Sequence, residues 1–208
     1  MTTRVKICGI TNIADGQSAA EAGADMIGLM FYEHSPRRVT VKEAGAISLA
    51  LPPFVLRVGV FVNPTEDLVT RAIGECNLSL LQFHGDETPE FCTQFGLMSM
   101  KACRIRDAAS LAALANYETD AFLLDAFSSE ARGGTGEKFN WDLAVEAQKF
   151  GKPIFLAGGL TPENVAAAVK QVRPFAVDVS SGVESVPGKK DPAKVKAFIQ
   201  AAKIMNQG

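Results

Sequence analysis

Two residues in this sequence have the right chemistry for moving protons, and each stands at the end of a short apolar run. Cys8 closes Val5-Lys-Ile-Cys8 and Asp125 closes Ala121-Phe-Leu-Leu-Asp125. A thiol next to an ammonium could serve as a general base, and Lys6 lies two residues before Cys8, on the same side of a strand. A carboxyl group at the end of an apolar strand suits a general acid, and about fifteen residues separate Asp125 from the next helical pattern, which argues against a capping role. Read blandly, Cys8 is a small buried hydrophobe and Asp125 a loop residue. A second group of residues could hold an anion. Leu156-Ala-Gly158-Gly159 and Val177-Asp178-Val-Ser180-Ser181-Gly182 both end in residues that expose backbone N–H groups or hydroxyls. Gly158, Gly159, Ser180, Ser181 and Gly182 therefore form a candidate phosphate cradle, and the expected partner is a small phosphorylated molecule.

Other polar residues could complete such a site. Arg37 and Arg38 follow Ser35-Pro36, and one of them is placed to grip a carboxylate with two hydrogen bonds. His84, in Gln82-Phe-His84-Gly85, could be a ligand, a catalytic group or a hydrogen-bonded wall, and it counts among the substrate-binding candidates. Asp178 is either a structural acceptor or a contact to a donor on the substrate. Gly133-Gly-Thr-Gly136 is a weak phosphate signal, having no Lys-Ser/Thr after it, but its length fits a cover for the substrate. With only His34 besides His84 and no clustered carboxylates, no metal site is expected, nor any other cofactor.

The elements that would position these residues alternate regularly. Strands are expected near 4–8, 26–31, 55–62, 78–83, 98–104, 121–125, 153–157 and 176–180. Helices are expected near 12–23, 40–50, 65–76, 88–95, 107–116, 140–149, 161–172 and 191–204. Caps and prolines mark several helix starts, in Asn63-Pro-Thr-Glu-Asp67, Thr88-Pro-Glu90, Thr161-Pro-Glu163 and Asp191-Pro192. Eight strand–helix units in 208 residues predict an α/β fold, a single (β/α)8 barrel spanning 1–208 at the compact end of its size range. The alternative is an open doubly wound sheet, against which stands the lack of an early G-x-G-x-x-G turn. Strand parity puts Lys6 with Cys8, Gln82 with His84, Lys101 with Cys103, Leu123 with Asp125 and Asp178 with Ser180. These pairs are expected inside the barrel, while Val5, Ile7, Phe122, Leu124, Val177 and Val179 face the helices. Cys8, His84, Asp125 and Ser180 would then meet at the C-terminal mouth, the catalytic face of this fold.

Composition excludes several classes. The chain is 47% apolar and 21% charged with a net charge of −2, so no nucleic-acid partner is expected. No apolar run reaches the length of a membrane span, and Pro52-Pro53 interrupt the longest candidate. Arg4 and Lys6 are followed too soon by Gly9, Thr11, Asn12 and Asp15 for a signal segment. Four cysteines without C-x-x-C spacing read as reduced thiols in the cytoplasm. A monomer or a homodimer is expected.

Taken in order, these stretches resemble the phosphoribosylanthranilate isomerase family. The resemblance is carried by Lys6-Ile-Cys-Gly-Ile-Thr11, Gly28-Leu-Met-Phe31 with Ser35-Pro-Arg-Arg38, and Gly59-Val-Phe-Val-Asn63. It continues through Gln82-Phe-His-Gly85, Leu123-Leu-Asp125, Gly133-Gly-Thr-Gly136, Leu156-Ala-Gly-Gly-Leu160 and Asp178-Val-Ser-Ser-Gly-Val-Glu184. It implies a cofactor-independent Amadori rearrangement in tryptophan biosynthesis, with the general base at Cys8 and the general acid at Asp125. It further implies the anthranilate carboxylate at Arg37, the anthranilate amine near Asp178, and the phosphate at Gly158, Gly159, Ser180, Ser181 and Gly182. The rival readings are another sugar-phosphate barrel isomerase, a Schiff-base aldolase using an inward Lys101, and a non-catalytic phosphate-ligand sensor.

Overall fold

The computed structural model describes residues 2–125 and 141–204. Eight strands alternate with helices: β1 (Arg4–Cys8), α1 (Ile13–Glu21), β2 (Met26–Met30), α2 (Val41–Ala50), β3 (Leu56–Phe61), α3 (Glu66–Cys76), β4 (Leu80–Phe83) and α4 (Pro89–Thr93). They continue with β5 (Ser99–Arg104), α5 (Ala108–Ala112), β6 (Ala121–Asp125), α6 (Trp141–Glu146), β7 (Ile154–Ala157), α7 (Val165–Val172), β8 (Ala176–Val179) and, at the end, α8 (Pro192–Ile204). The strands close into one parallel barrel in chain order, with β8 paired back to β1 from Arg4 opposite Ala176 to Ile7 opposite Val179. Closure removes the sheet edges that an open sheet would have to protect.

Local chemistry starts the helices where polar side chains can take up their unpaired N–H groups. Thr40 and Glu43 form a reciprocal capping box on α2, Thr65 caps α3, and Thr88 caps α4 ahead of Pro89. At the other end of α2, Arg57 donates to the carbonyls of Ser48, Leu51, Pro53 and Val55, so the base of β3 closes the helix end beside it. Helix α7 begins four residues later than its Thr161-Pro start suggests. Asn164 accepts from the Thr161 N–H and donates to the Gly159 carbonyl, and residues 161–164 form a turn that fastens the end of β7 instead of a helical turn.

Two apolar layers result from the period of two along each strand. Val5, Ile7, Ile27, Leu29, Phe122, Leu124, Val177 and Val179 pack outward under the helices. Cys8, Met26, Val58, Val60, Leu80, Met100, Ala102, Leu123 and Phe155 fill the barrel interior. On β5 the inward parity belongs to Met100 and Ala102, so Lys101 and Cys103 do not face the interior as expected. Lys101 lies on the outer side, where its Nζ bonds Glu87 at 2.7 Å and the Gly85 carbonyl at 2.6 Å. The two faces of this strand differ by a single residue of phase, and an ammonium can be buried on the outer one because Glu87 meets it there.

After β8 the chain makes a short 3-10 turn (Ser181–Val183) and a small hairpin, β9 (Glu184–Val186) and β10 (Lys189–Lys190), before α8. Gly188 turns that hairpin with a positive φ of 83°. The Gly188 carbonyl accepts from Thr11 Oγ1, and the Lys190 N–H donates to Asp15, so the hairpin straps the end of β8 to the loop and helix that follow β1.

Candidate active site

Cys8 is the last residue of β1, and the chain turns sharply behind it. Gly9 has φ 74°, and the N–H groups of Gly9 and Ile10 both donate to the Gly28 carbonyl on β2. Beneath the thiol, Lys6 is fully buried and its Nζ bonds Asp178 Oδ1 at 2.9 Å. Gly28 leaves room for this group: a Cβ there would come within 2.8 Å of Cys8 Sγ and 3.2 Å of Lys6 Nζ. Thiol and ammonium on β1 and carboxylate on β8 thus lie together in the space that Gly28 of β2 leaves open. Burial pushes the Cys8 thiol above its ordinary pKa; the Lys6 charge pulls it down, Asp178 pushes it up, and the net direction is upward. Lys6 favours the thiolate, as its position in the sequence suggests, but it does not outweigh burial. Lys6 itself is depressed by burial and raised more by Asp178 and Cys8, so it stays protonated.

Asp125 ends β6, as expected, and His84 follows β4. His84 Nε2 lies 3.4 Å from Asp125 Oδ2, and its Nδ1 is 3.3 Å from Gln82 Nε2. The loop carrying His84 is held by Glu87, whose carboxylate accepts from the N–H groups of Gly85 and Asn63. Lys101 completes that bracket from β5.

Arg37 reaches the site and Arg38 does not. The Arg37 guanidinium makes a two-pronged contact with Glu184, Nε to Oε1 at 2.8 Å and Nη2 to Oε2 at 2.6 Å. Arg38 is exposed, beside a groove of about 690 Å³ that runs outside the barrel mouth between the loops following β2 and β3 and contains neither Cys8 nor Asp125. Glu184 also bonds the buried Lys190, whose Nζ lies 2.8 Å from Oε1 and 3.2 Å from the Ser180 carbonyl. Burial opposes the charge on Glu184, but Arg37 and Lys190 overcome it and hold the carboxyl below its ordinary range. Lys190 lies below the usual lysine value, mainly through burial.

Gly158 and Gly159 leave β7 with φ of 86° and 63°. Gly182 packs directly on the Leu160 carbonyl, where a Cβ would overlap the oxygen. Only glycine lets the turn after β8 lie this close to the turn after β7. Ser180, Ser181 and Gly182 share one cavity of about 240 Å³ with Gly158 and Gly159, and Cys8, Arg37, His84, Asp125 and Asp178 line the same cavity. Cys8, Arg37, His84, Asp125 and Asp178 are therefore brought together with the five cradle residues, while Arg38 stays outside. Gly133–Gly136 lies outside the described residues. Lys101 is absent from the cavity lining, which removes the feature on which an aldolase reading depended. Among the described residues no group of three or more His, Cys, Asp or Glu could hold a metal ion, and no helix is long and apolar enough to cross a membrane.

Glu184 and Lys190 were not among the expected site residues. A Pro187-Gly188 turn between short polar segments is a legible hairpin signal. What it cannot reveal is that the second lysine of Lys189-Lys190 turns inward.

The chain matches the family of N-(5'phosphoribosyl)anthranilate (PRA) isomerase over residues 5–201. It is 54% identical over 201 residues to the N-(5'-phosphoribosyl)anthranilate isomerase of Citrifermentans bemidjiense, covering 97% of each chain. It is similar to the solved phosphoribosyl anthranilate isomerase of Thermotoga maritima, with a TM-score of 0.90 and 43% identity over 97% of this chain and 98% of that one. A further solved isomerase, in complex with reduced 1-(o-carboxyphenylamino)-1-deoxyribulose 5-phosphate, matches with a TM-score of 0.88 and 41% identity, covering 97% and 98% of the two chains.

Proposed function

The chain belongs to the N-(5'-phosphoribosyl)anthranilate isomerase family, and from that premise we propose how its own residues carry out the rearrangement. The reaction is the isomerisation of N-(5'-phosphoribosyl)anthranilate in tryptophan biosynthesis. The product is the 1-deoxyribulose phosphate whose reduced form occupies one of the related structures.

Asp125 is the general acid and Cys8 the general base. Asp125 gives its proton to the furanose oxygen, the C1–O bond breaks, and the lone pair of the anthranilate nitrogen forms an iminium ion. The iminium acidifies the C2 hydrogen, which passes as a proton to the Cys8 thiolate while its bonding pair forms the C1–C2 double bond and the C1–N π pair returns to nitrogen. The enolamine that results becomes the ketone by moving the hydroxyl proton to C1. The phosphate is held by Gly158, Gly159, Ser180, Ser181 and Gly182, and the anthranilate carboxylate by Arg37. Glu184 already occupies the Nε–Nη2 edge of that guanidinium, so the substrate carboxylate takes the Nη1 side and Glu184 fixes the plane in which it is offered. Asp178, held by Lys6, faces the anthranilate amine. With both ends of the substrate fixed, the sugar lies between acid and base.

The observation that carries this reading is that one cavity joins Cys8 and Asp125 to an anion cradle and an arginine. Turnover of freshly generated phosphoribosylanthranilate, followed by its fluorescence, tests it. Asp125→Asn and Cys8→Ser are each expected to lower kcat by about two orders of magnitude or more while the fold is kept. Full activity in either variant would remove that residue from its role.

A further inference from the structure

Both ring nitrogens of His84 are engaged. Nε2 faces Asp125 Oδ2 at 3.4 Å, and Nδ1 faces Gln82 Nε2 at 3.3 Å. Gln82 sits two residues earlier on the same inward parity and is only 1% exposed. With the amide nitrogen turned toward the ring, Nδ1 accepts, and a singly protonated ring then carries its proton on Nε2, the nitrogen nearest the carboxyl group. This orientation leaves Gln82 Oε1 buried and without a hydrogen-bond partner among the described residues. Turning the amide over would exchange one unpartnered carbonyl for an unpartnered NH2 group, and would move the ring proton away from Asp125. The turn that carries the ring is itself braced. Glu87 takes the Gly85 and Asn63 N–H groups, Lys101 ties Glu87 to the Gly85 carbonyl, and the Tyr117 hydroxyl donates to the Glu87 carbonyl. A ring that served only to fill the cavity wall would need neither a dedicated buried amide nor a buried ion pair behind its loop.

We propose that His84 is a positioning residue for Asp125: held by Gln82 as the Nε2–H tautomer, it orients the carboxyl group toward the sugar ring and steadies the carboxylate left once the proton has gone to the ring oxygen. The proposal rests on Asp125 being the general acid. The attraction across this 3.4 Å contact gains most when Asp125 becomes charged, so its benefit falls on the ring-opening step and not on binding.

The test joins kinetics to a direct reading of the tautomer. His84→Phe keeps a ring without a donor, and kcat is expected to fall about 10- to 100-fold with KM within about threefold. His84→Gln, whose amide nitrogen reaches the position of Nε2, is expected to restore most of that loss. In an Asp125→Asn background His84→Phe is expected to cost nothing further, because the two residues act as one unit. The imidazole 15N spectrum reports the tautomer. The chain has only two histidines, so His34→Asn assigns the His84 signals. The wild type is expected to show Nδ1 bare and Nε2 protonated, and Gln82→Glu to reverse this, since a carboxylate demands a proton on Nδ1; its kcat falls as that of His84→Phe does. An unchanged kcat in His84→Phe, a loss that persists at full size beside Asp125→Asn, or an Nδ1–H ring in the wild type would each overturn the proposal. If His84→Phe does not fold, the wild-type spectrum and Gln82→Glu decide. Full activity of Asp125→Asn alone would instead defeat the assignment of the acid, a different failure from loss at Asp125 without loss at His84.

Discussion

Glu184 divides its carboxylate between two cations with different surroundings. The Arg37 side chain is about one-fifth exposed, while that of Lys190 is almost wholly enclosed. Replacing Glu184 by Gln would leave the Lys190 ammonium buried without a counter-charge and Arg37 without the partner that sets its plane. Breaking a buried pair from one side typically costs about 3–5 kcal/mol. Glu184→Gln is expected to lose stability of that order by urea denaturation and to raise KM more than it lowers kcat; unchanged values of both would mean that neither cation depends on it. The thiol raises a separate question of charge. A base acts only when deprotonated, and burial raises Cys8, so kcat/KM is expected to climb with pH on the alkaline side of neutrality. Lys6 lowers that pKa, so in Lys6→Met the same rise should move to still higher pH. A pH–rate profile that stays in place would show the ammonium to be only structural. The approach of Lys6 to Cys8 could be read along the chain from their shared strand parity; the pairing of Glu184 could not. Cys8 and Asp125 are legible because each ends an apolar strand at a known phase, whereas Arg37 and Glu184 are 147 residues apart and their pairing exists only in the closed barrel.

The strand is the element that sorts these side chains, and Gly28 on β2 shows how tightly. An alanine there would bring its Cβ within 2.8 Å of Cys8 Sγ and 3.0 Å of the Cys8 Cα. The β1–β2 pairing places Gly28 directly beside Cys8, so neither backbone can give way without breaking the ladder. Gly28→Ala is therefore expected to lower kcat by about tenfold or more through a displaced thiol, since small misplacements of reacting groups are heavily penalised. Wild-type kcat in a folded Gly28→Ala protein would show the thiol tolerant of displacement. Most strands and helices were legible at this scale, because a period of two and capping residues are local signals. The exceptions had tertiary causes. Residues 161–164 form a turn because Asn164 is drawn to the Gly159 carbonyl at the end of β7. Lys101 faces outward because Glu87, from a different loop, waits there to neutralise it, and nothing in Ser99–Arg104 alone distinguishes the two phases of that strand.

Over the whole molecule, the buried thiols set a limit in alkali. Burial pushes Cys92 up to about 12 and Cys76 up to about 11, against an ordinary value of about 8.5 in an unfolded chain. Above that ordinary value the unfolded chain releases protons that the folded one keeps, so stability falls as pH rises. Denaturation midpoints are expected to decline from about pH 8.5 toward pH 11, and less steeply in Cys92→Ala once its own packing loss is subtracted; parallel declines would exclude the thiol. The hairpin strap and the Lys6–Asp178 pair carry a different consequence, one that concerns time. The two partners of that pair are 172 residues apart, and Ser180, Ser181 and Gly182 of the cradle, with Glu184 and Lys190, belong to the last stretch before α8. A ribosome adding about 5–20 residues per second needs roughly ten to forty seconds to deliver a chain of this length. From residue 125 until residue 176 the growing polypeptide holds its thiol and its carboxyl group but has no eighth strand to close the ring. The nascent enzyme should thus gain its substrate site in a single late step, once the eighth strand has been delivered.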